Sequence, residues 1–192
     1  MDRIFYVLFD EKKEYNEDDV NNSEINFSKV SSSICKISTS SHIGSGFLLK
    51  YLIEDKFFYF LISNENVITK DMIQNKDIIH ILYDKESKNA EIKLDEKERF
   101  IKNFKDIDLD ITLVEILSKD NIENYYFLNP EIEKYDENKL INGKIYMPYY
   151  PLEGKITNSE SSIEKIDKNE FTYSSKTEQI SSGSPIIFGK KY

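Results

Sequence analysis

From residue 34 onward, apolar positions come in short runs separated by charged or small polar residues. The pattern predicts strands over residues 34–38, 46–53, 57–63, 77–83 and 90–94, and again over 111–117, 144–148, 155–157, 163–166, 171–174 and 185–188. These runs are rich in β-branched and aromatic residues, and Asn, Asp, Lys or Gly bounds most of them. Pro185 can open a strand but cannot sit centrally in one. Helical periodicity is weak, with short helical turns expected after Asn66 and near residues 119–125. Many short strands at regular spacing point to an all-β barrel or sandwich. Residues 1–33 read instead as a polar, acidic lead-in, with a charge cluster from Glu11 to Asp19 and a hinge-like Ser31-Ser32-Ser33. Its one apolar stretch, residues 4–9, is too short for a secretory core and reads as a strand.

Composition narrows the picture. A length of 192 residues suits a single domain with a real core, and 39% apolar with 13% aromatic residues argues against disorder. The net charge of −9 repels phosphate backbones and anionic membrane surfaces, so neither nucleic acid nor membrane is an expected partner. No apolar run approaches the roughly 20 residues of a membrane helix. One cysteine, Cys35, allows no intrachain disulfide, and the chain is expected to be intracellular and cytoplasmic.

Glycine is scarce, with 6 in the chain, yet three of them fall in two short motifs, Gly44-Ser45-Gly46 and Ser182-Gly183-Ser184-Pro185. Glycines kept in a glycine-poor chain mark backbone positions that other residues cannot occupy. Five landmarks then follow in order. Gly44-Ser45-Gly46-Phe47-Leu48-Leu49 opens a strand, and Phe60-Leu61-Ile62-Ser63-Asn64-Glu65-Asn66-Val67-Ile68 ends the next. Asp108-Leu109-Asp110-Ile111-Thr112-Leu113-Val114 comes third, Tyr146-Met147-Pro148-Tyr149-Tyr150-Pro151 fourth and Ser181-Ser182-Gly183-Ser184-Pro185-Ile186 last.

Together these landmarks resemble the trypsin-like, chymotrypsin-fold serine peptidases, in their compact, disulfide-free intracellular branch, over residues 34–188. The resemblance implies an all-β double barrel with a cleft between the barrels, the first over residues 34–117 and the second over 143–192. Such peptidases usually continue into further strands beyond the place of Tyr192, so the resemblance implies either an incomplete second barrel or a chain that is a fragment. Carried over by position, Ser182 matches the nucleophile and Asp110 the acidic member. The base is expected in a Thr-Asn-Glu-His-Val-like segment, and Asn66 stands at its place.

A serine hydroxyl needs a base to take its proton, and an asparagine amide cannot accept one. Losing the histidine of such a triad costs on the order of 10⁶ in kcat. The oxyanion hole pairs the nucleophile's own N–H with that of the residue two positions before it, here Ser182 and Ile180. Ile180 replaces the usual glycine, and a β-branched residue resists unusual backbone angles. The expected function is therefore a catalytically degenerate peptidase homologue that keeps a cleft for a peptide or protein ligand. Two alternatives stand beside it: an active serine endopeptidase working through Ser182, if Asn66 is an introduced change or another base substitutes, and a structural remnant without ligand.

His42 borders the cleft in this resemblance and is the candidate substitute base. His80, among isoleucines and Leu82, reads as an ordinary strand residue, and Cys35 as a small core residue. Asp106, Asp108 and Asp110 mimic the start of a calcium loop, but Ile111 and Leu117 stand where that loop needs glycine and glutamate. No cofactor and no metal are expected, and the spacing of two histidines and one cysteine offers no zinc motif.

Overall fold

A computed structural model describes residues 27–40, 42–105, 109–123, 126–128, 141–151, 154–167, 170–173 and 182–188. The elements are α1 (Phe27–Ser33), β1 (Ile34–Ser38), β2 (Ile43–Ile53), β3 (Lys56–Ser63), α2 (Lys70–Asn75), β4 (Ile78–Tyr83), β5 (Lys88–Lys93), β6 (Ile101–Asn103), β7 (Thr112–Glu115), β8 (Lys144–Tyr149), β9 (Thr157–Asp167), β10 (Glu170–Tyr173) and β11 (Ile187–Phe188). They form a seven-stranded sheet in the order β5-β4-β1-β2-β3-β7-β6 and a four-stranded sheet in the order β10-β9-β8-β11. Every pairing between these strands is antiparallel.

Burial explains why the strands differ in sequence. In β1 to β3, neighbouring residues are buried on opposite faces of the larger sheet. Cys35, Ile37, Leu48 and Leu61 enter one apolar cluster, with Val67, Ile68, Met72, Ile79, Ile81 and Ile92. Ile34, Phe47, Leu49 and Ile62 enter a second cluster with Val30, Ile111, Tyr150 and Ile187. Strands covered on both faces read as continuous apolar runs. In β5 only Ala90 and Ile92 are buried, and they alternate with exposed Asn89, Glu91 and Lys93 in a period of two. A third cluster of Ile145, Met147, Ile163 and Ile186 holds the smaller sheet.

Two expectations are corrected. The Ser31-Ser32-Ser33 stretch is no hinge but the end of α1, and Val30, Ser32 and Ser33 are buried. The two strands expected over 155–157 and 163–166 are one continuous strand, β9, because its polar middle pairs along β8 from Tyr149↔Thr157 to Lys144↔Ser162. Backbone pairing does not require apolar side chains there. The short β6 was unanticipated. The helix after Asn66 is α2, capped by Thr69 Oγ1 accepting from Met72 N–H at 3.2 Å. Near Lys119 there is a single 3₁₀ turn, Ser118–Asp120. No helix among the described residues is long and apolar enough to cross a membrane.

Candidate functional site

The two glycine motifs face each other across the meeting of the sheets. At the start of β2, a Cβ on Gly44 would lie 2.3 Å from Val67 Cγ2, so only glycine lets the strand pass beneath the turn that follows β3. Gly183 has φ +87°, and a Cβ there would lie 2.1 Å from the Ser45 carbonyl oxygen and 2.4 Å from Ser63 Oγ. Both the backbone angle and the space exclude a side chain. The adjoining bonds complete the junction. Ser45 N–H donates to the Ser182 carbonyl at 3.0 Å. Ser63 Oγ donates to the Ser45 carbonyl at 2.7 Å, and Tyr150 N–H donates to Ser45 Oγ at 3.2 Å.

Beyond Ser63, the chain turns tightly. The Asn64 carbonyl accepts from Val67 N–H at 3.2 Å and from Ile68 N–H at 3.1 Å. Asp110 reaches this turn from the segment ahead of β7. Its Oδ1 accepts from Glu65 N–H at 2.8 Å, and its Oδ2 accepts from Asn64 Nδ2 at 3.4 Å. The first is a strong, charge-assisted contact, whereas the second is at the long limit of a hydrogen bond. Lys105 Nζ meets Glu65 Oε2 at 2.8 Å, and this bond, together with the charges of Glu65 and Asp110, raises the lysine's pKa. Lys105 thus stays a cation beside the carboxylates and cannot serve as a base.

The segments of the three expected residues are brought together, although the residues are far apart in sequence. Ser182 is half-buried against Ser45, and Asp110 is half-buried against the Asn64-Glu65 turn. Asn66 is exposed on that same turn, and the bonds the turn makes to Asp110 come from Asn64 and Glu65. His42 is exposed in the β1–β2 connection, where its N–H donates to Thr39 Oγ1 at 2.8 Å and its carbonyl accepts from Thr39 N–H at 2.9 Å. Ile180, Asp106 and Asp108 lie outside the described residues. His80 is an exposed β4 residue whose Nδ1 meets Glu91 Oε1 at 3.3 Å. Cys35 is wholly buried, and burial pushes its thiol well above the usual range. No group of three metal-ligating side chains occurs among the described residues.

Among solved structures, the chain is similar to the Rv3671c protease in an inactive form, with a TM-score of 0.53 and 15% identity over 82% of this chain and 73% of that one. A serine-to-alanine mutant of Rv3671c from M. tuberculosis, also in an inactive form, gives a TM-score of 0.52 at 15% identity over 82% and 70%. The chain has the trypsin-like double β-barrel fold. No protein-family model and no curated protein matches the sequence.

Within the trypsin-like fold, Asn64, Ser45, Ser63 and Lys105 are the residues that sequence reasoning missed. The available signal for Asn64 was its place directly after an apolar strand, in a Ser-Asn-Glu-Asn run. That run drew attention only to its last member. Asn64 is 6% exposed and its Oδ1 is buried, whereas Asn66 faces solvent. Ser45 and Ser63 are buried hydroxyl residues inside apolar strands, where a polar group must find partners.

Proposed function

We propose that this chain is a catalytically degenerate homologue of the trypsin-like serine peptidases that retains a cleft for a peptide or protein segment. In this reading, residues 34–117 form the first barrel and 143–192 the second, with Ser182 at the nucleophile's position, Asp110 at the acid's and Asn66 at the base's. The observation that carries the reading is the 2.8 Å bond from Glu65 N–H to Asp110. It ties the carboxylate to the residue immediately before Asn66, where an acid must sit if it is to orient a base at position 66. Asn66 offers an amide there, and an amide takes no proton from Ser182. The net charge of −9 favours a protein over a nucleic acid as the ligand.

The test is labelling by a fluorophosphonate probe, together with cleavage of casein or a fluorogenic peptide. The chain as it stands shows neither. Asn66→His gains both in part, and Asn66→His with Ile180→Gly exceeds the single variant, because one oxyanion donor is worth about 10²–10³ in kcat. Cleavage by the unaltered chain that Ser182→Ala abolishes overturns the degenerate reading, and His42→Ala then identifies the substitute base. A peptide-library screen in which nothing binds removes the cleft and leaves a structural domain.

A further inference from the structure

Ser45 is wholly buried in β2, and its N–H, carbonyl and hydroxyl each engage a different segment. The N–H holds the Ser182 carbonyl at 3.0 Å, the carbonyl accepts from Ser63 Oγ at 2.7 Å, and the hydroxyl oxygen accepts from Tyr150 N–H at 3.2 Å. Ser63 leads directly into the turn that meets Asp110. Tyr150 directly follows β8, the strand that pairs with β11 just beyond the Ser182 loop. One residue of the larger sheet therefore touches the Ser182 loop, the root of the Asn64-Glu65 turn and the end of a strand in the smaller sheet.

The hydroxyl is the part of this junction that the side chain alone supplies. The bonds to Ser182 and Ser63 are made by the Ser45 main chain and do not depend on its side chain. The bond to Tyr150 needs a hydroxyl at position 45, and Tyr150 is wholly buried, so its N–H has no ready access to water as a substitute partner. Gly183 packs so closely on the Ser45 carbonyl that a Cβ would overlap it at 2.1 Å. Ser45 thus lies in direct contact with the loop that carries Ser182 as well as with Tyr150.

We propose that Ser45 is a positioning residue for Ser182: its hydroxyl, by holding Tyr150 N–H, fixes the smaller sheet against β2 and sets where the Ser182 side chain stands relative to position 66. This rests on the peptidase-like reading of Ser182. A displacement of about 1 Å at a reacting group can cost on the order of 10² in rate, so a bond that touches no substrate still controls chemistry.

Thr and Val have the same shape and differ only in the hydroxyl, so Ser45→Thr against Ser45→Val isolates the bond from the added methyl. Ser45→Ala removes the hydroxyl without adding bulk. The first readout is residue-resolved amide exchange on the otherwise unaltered chain. Exchange at Tyr150 and over residues 183–187 accelerates about tenfold or more in the Ala and Val variants and stays near the parent value with Thr. The second readout uses the Asn66→His background, where Ala and Val lower kcat about tenfold at unchanged KM and Thr retains it. Unchanged exchange over residues 183–187 in Ser45→Ala overturns the proposal, as does equal loss in the Thr and Val variants. If exchange responds as expected while Asn66→His never turns over substrate, the clamp stands and the peptidase reading fails.

Discussion

Arg99 and Asp120 form a buried ion pair that nothing in the local pattern announces. Arg99 sits in a Lys-Glu-Arg run that reads as solvated charge, yet its side chain is 1% exposed and that of Asp120 4%. The guanidinium grips the carboxylate through two bonds, 2.7 and 3.0 Å, and also donates to the Glu115 carbonyl at 2.9 Å. Asp120 in turn accepts from Leu117 N–H at 2.7 Å. Removing one partner leaves a buried charge alone. Arg99→Met is expected to cost about 3–5 kcal/mol, read as a lower urea midpoint at unchanged slope, and Arg99→Met with Asp120→Leu to recover much of that loss. The candidate site behaves the same way at this scale. Residue order draws attention to the segments of Ser182, Asp110 and Asn66, which meet in the fold, whereas nothing local draws it to Asn64 and Ser45. Their roles come from partners some 46 and 105 positions away, which no local window contains.

At the scale of elements, legibility followed burial. Strand β1 was read to its observed ends because Ile34, Cys35 and Ile37 are enclosed and Thr39 leaves the ladder. Helix α1 was missed because a run of three serines carries no helical signal, and its order comes from docking Val30 beside Ile34 and Phe47. The β2–β3 hairpin was legible as strands but not as a turn. Ile53 pairs with Lys56, and Glu54 and Asp55 between them have φ of 46° and 64°. That is the two-residue turn that favours Asn-Gly; Glu54 is poorly suited to it, and Asp55 tolerates the left-handed angle less well than glycine. Replacing Glu54-Asp55 with Asn-Gly is expected to raise stability by about 1 kcal/mol, measured as a higher denaturant midpoint with an unchanged fold by circular dichroism.

For the whole molecule, the enclosed thiol links folding to alkaline pH. Cys35 has its pKa raised by burial, so the folded chain keeps that proton while the unfolded chain releases it above its ordinary thiol range. The unfolded state then binds fewer protons, and stability falls as pH rises through and beyond about 9, by about 1.4 kcal/mol per pH unit at most for this group. Below that range its contribution is fully present. Denaturant melts between pH 7 and 10.5 check this, with Cys35→Ala expected to flatten the slope. A thiol reagent at pH 8 is expected to label the native chain only as fast as it opens, and prompt stoichiometric labelling contradicts the enclosure.

The burial of β1, β2 and β3 on both faces bears on how freely such a chain can change over generations. A strand with one wet face has every second position open to drift, whereas a strand between two clusters has almost none. A saturation library selected for soluble, folded protein should therefore show an alternating tolerance along β5, with Glu91 permissive between intolerant Ala90 and Ile92. Along Phe47, Leu48 and Leu49 the tolerance should be uniformly low, recovering only at the exposed hairpin tip around Leu52. A one-residue deletion in β2 exchanges both sets of side chains at once, and no point substitution elsewhere restores them. Accepted substitutions in such a library are therefore expected to collect at the rim of the larger sheet and to be scarce at the junction beneath Ser182.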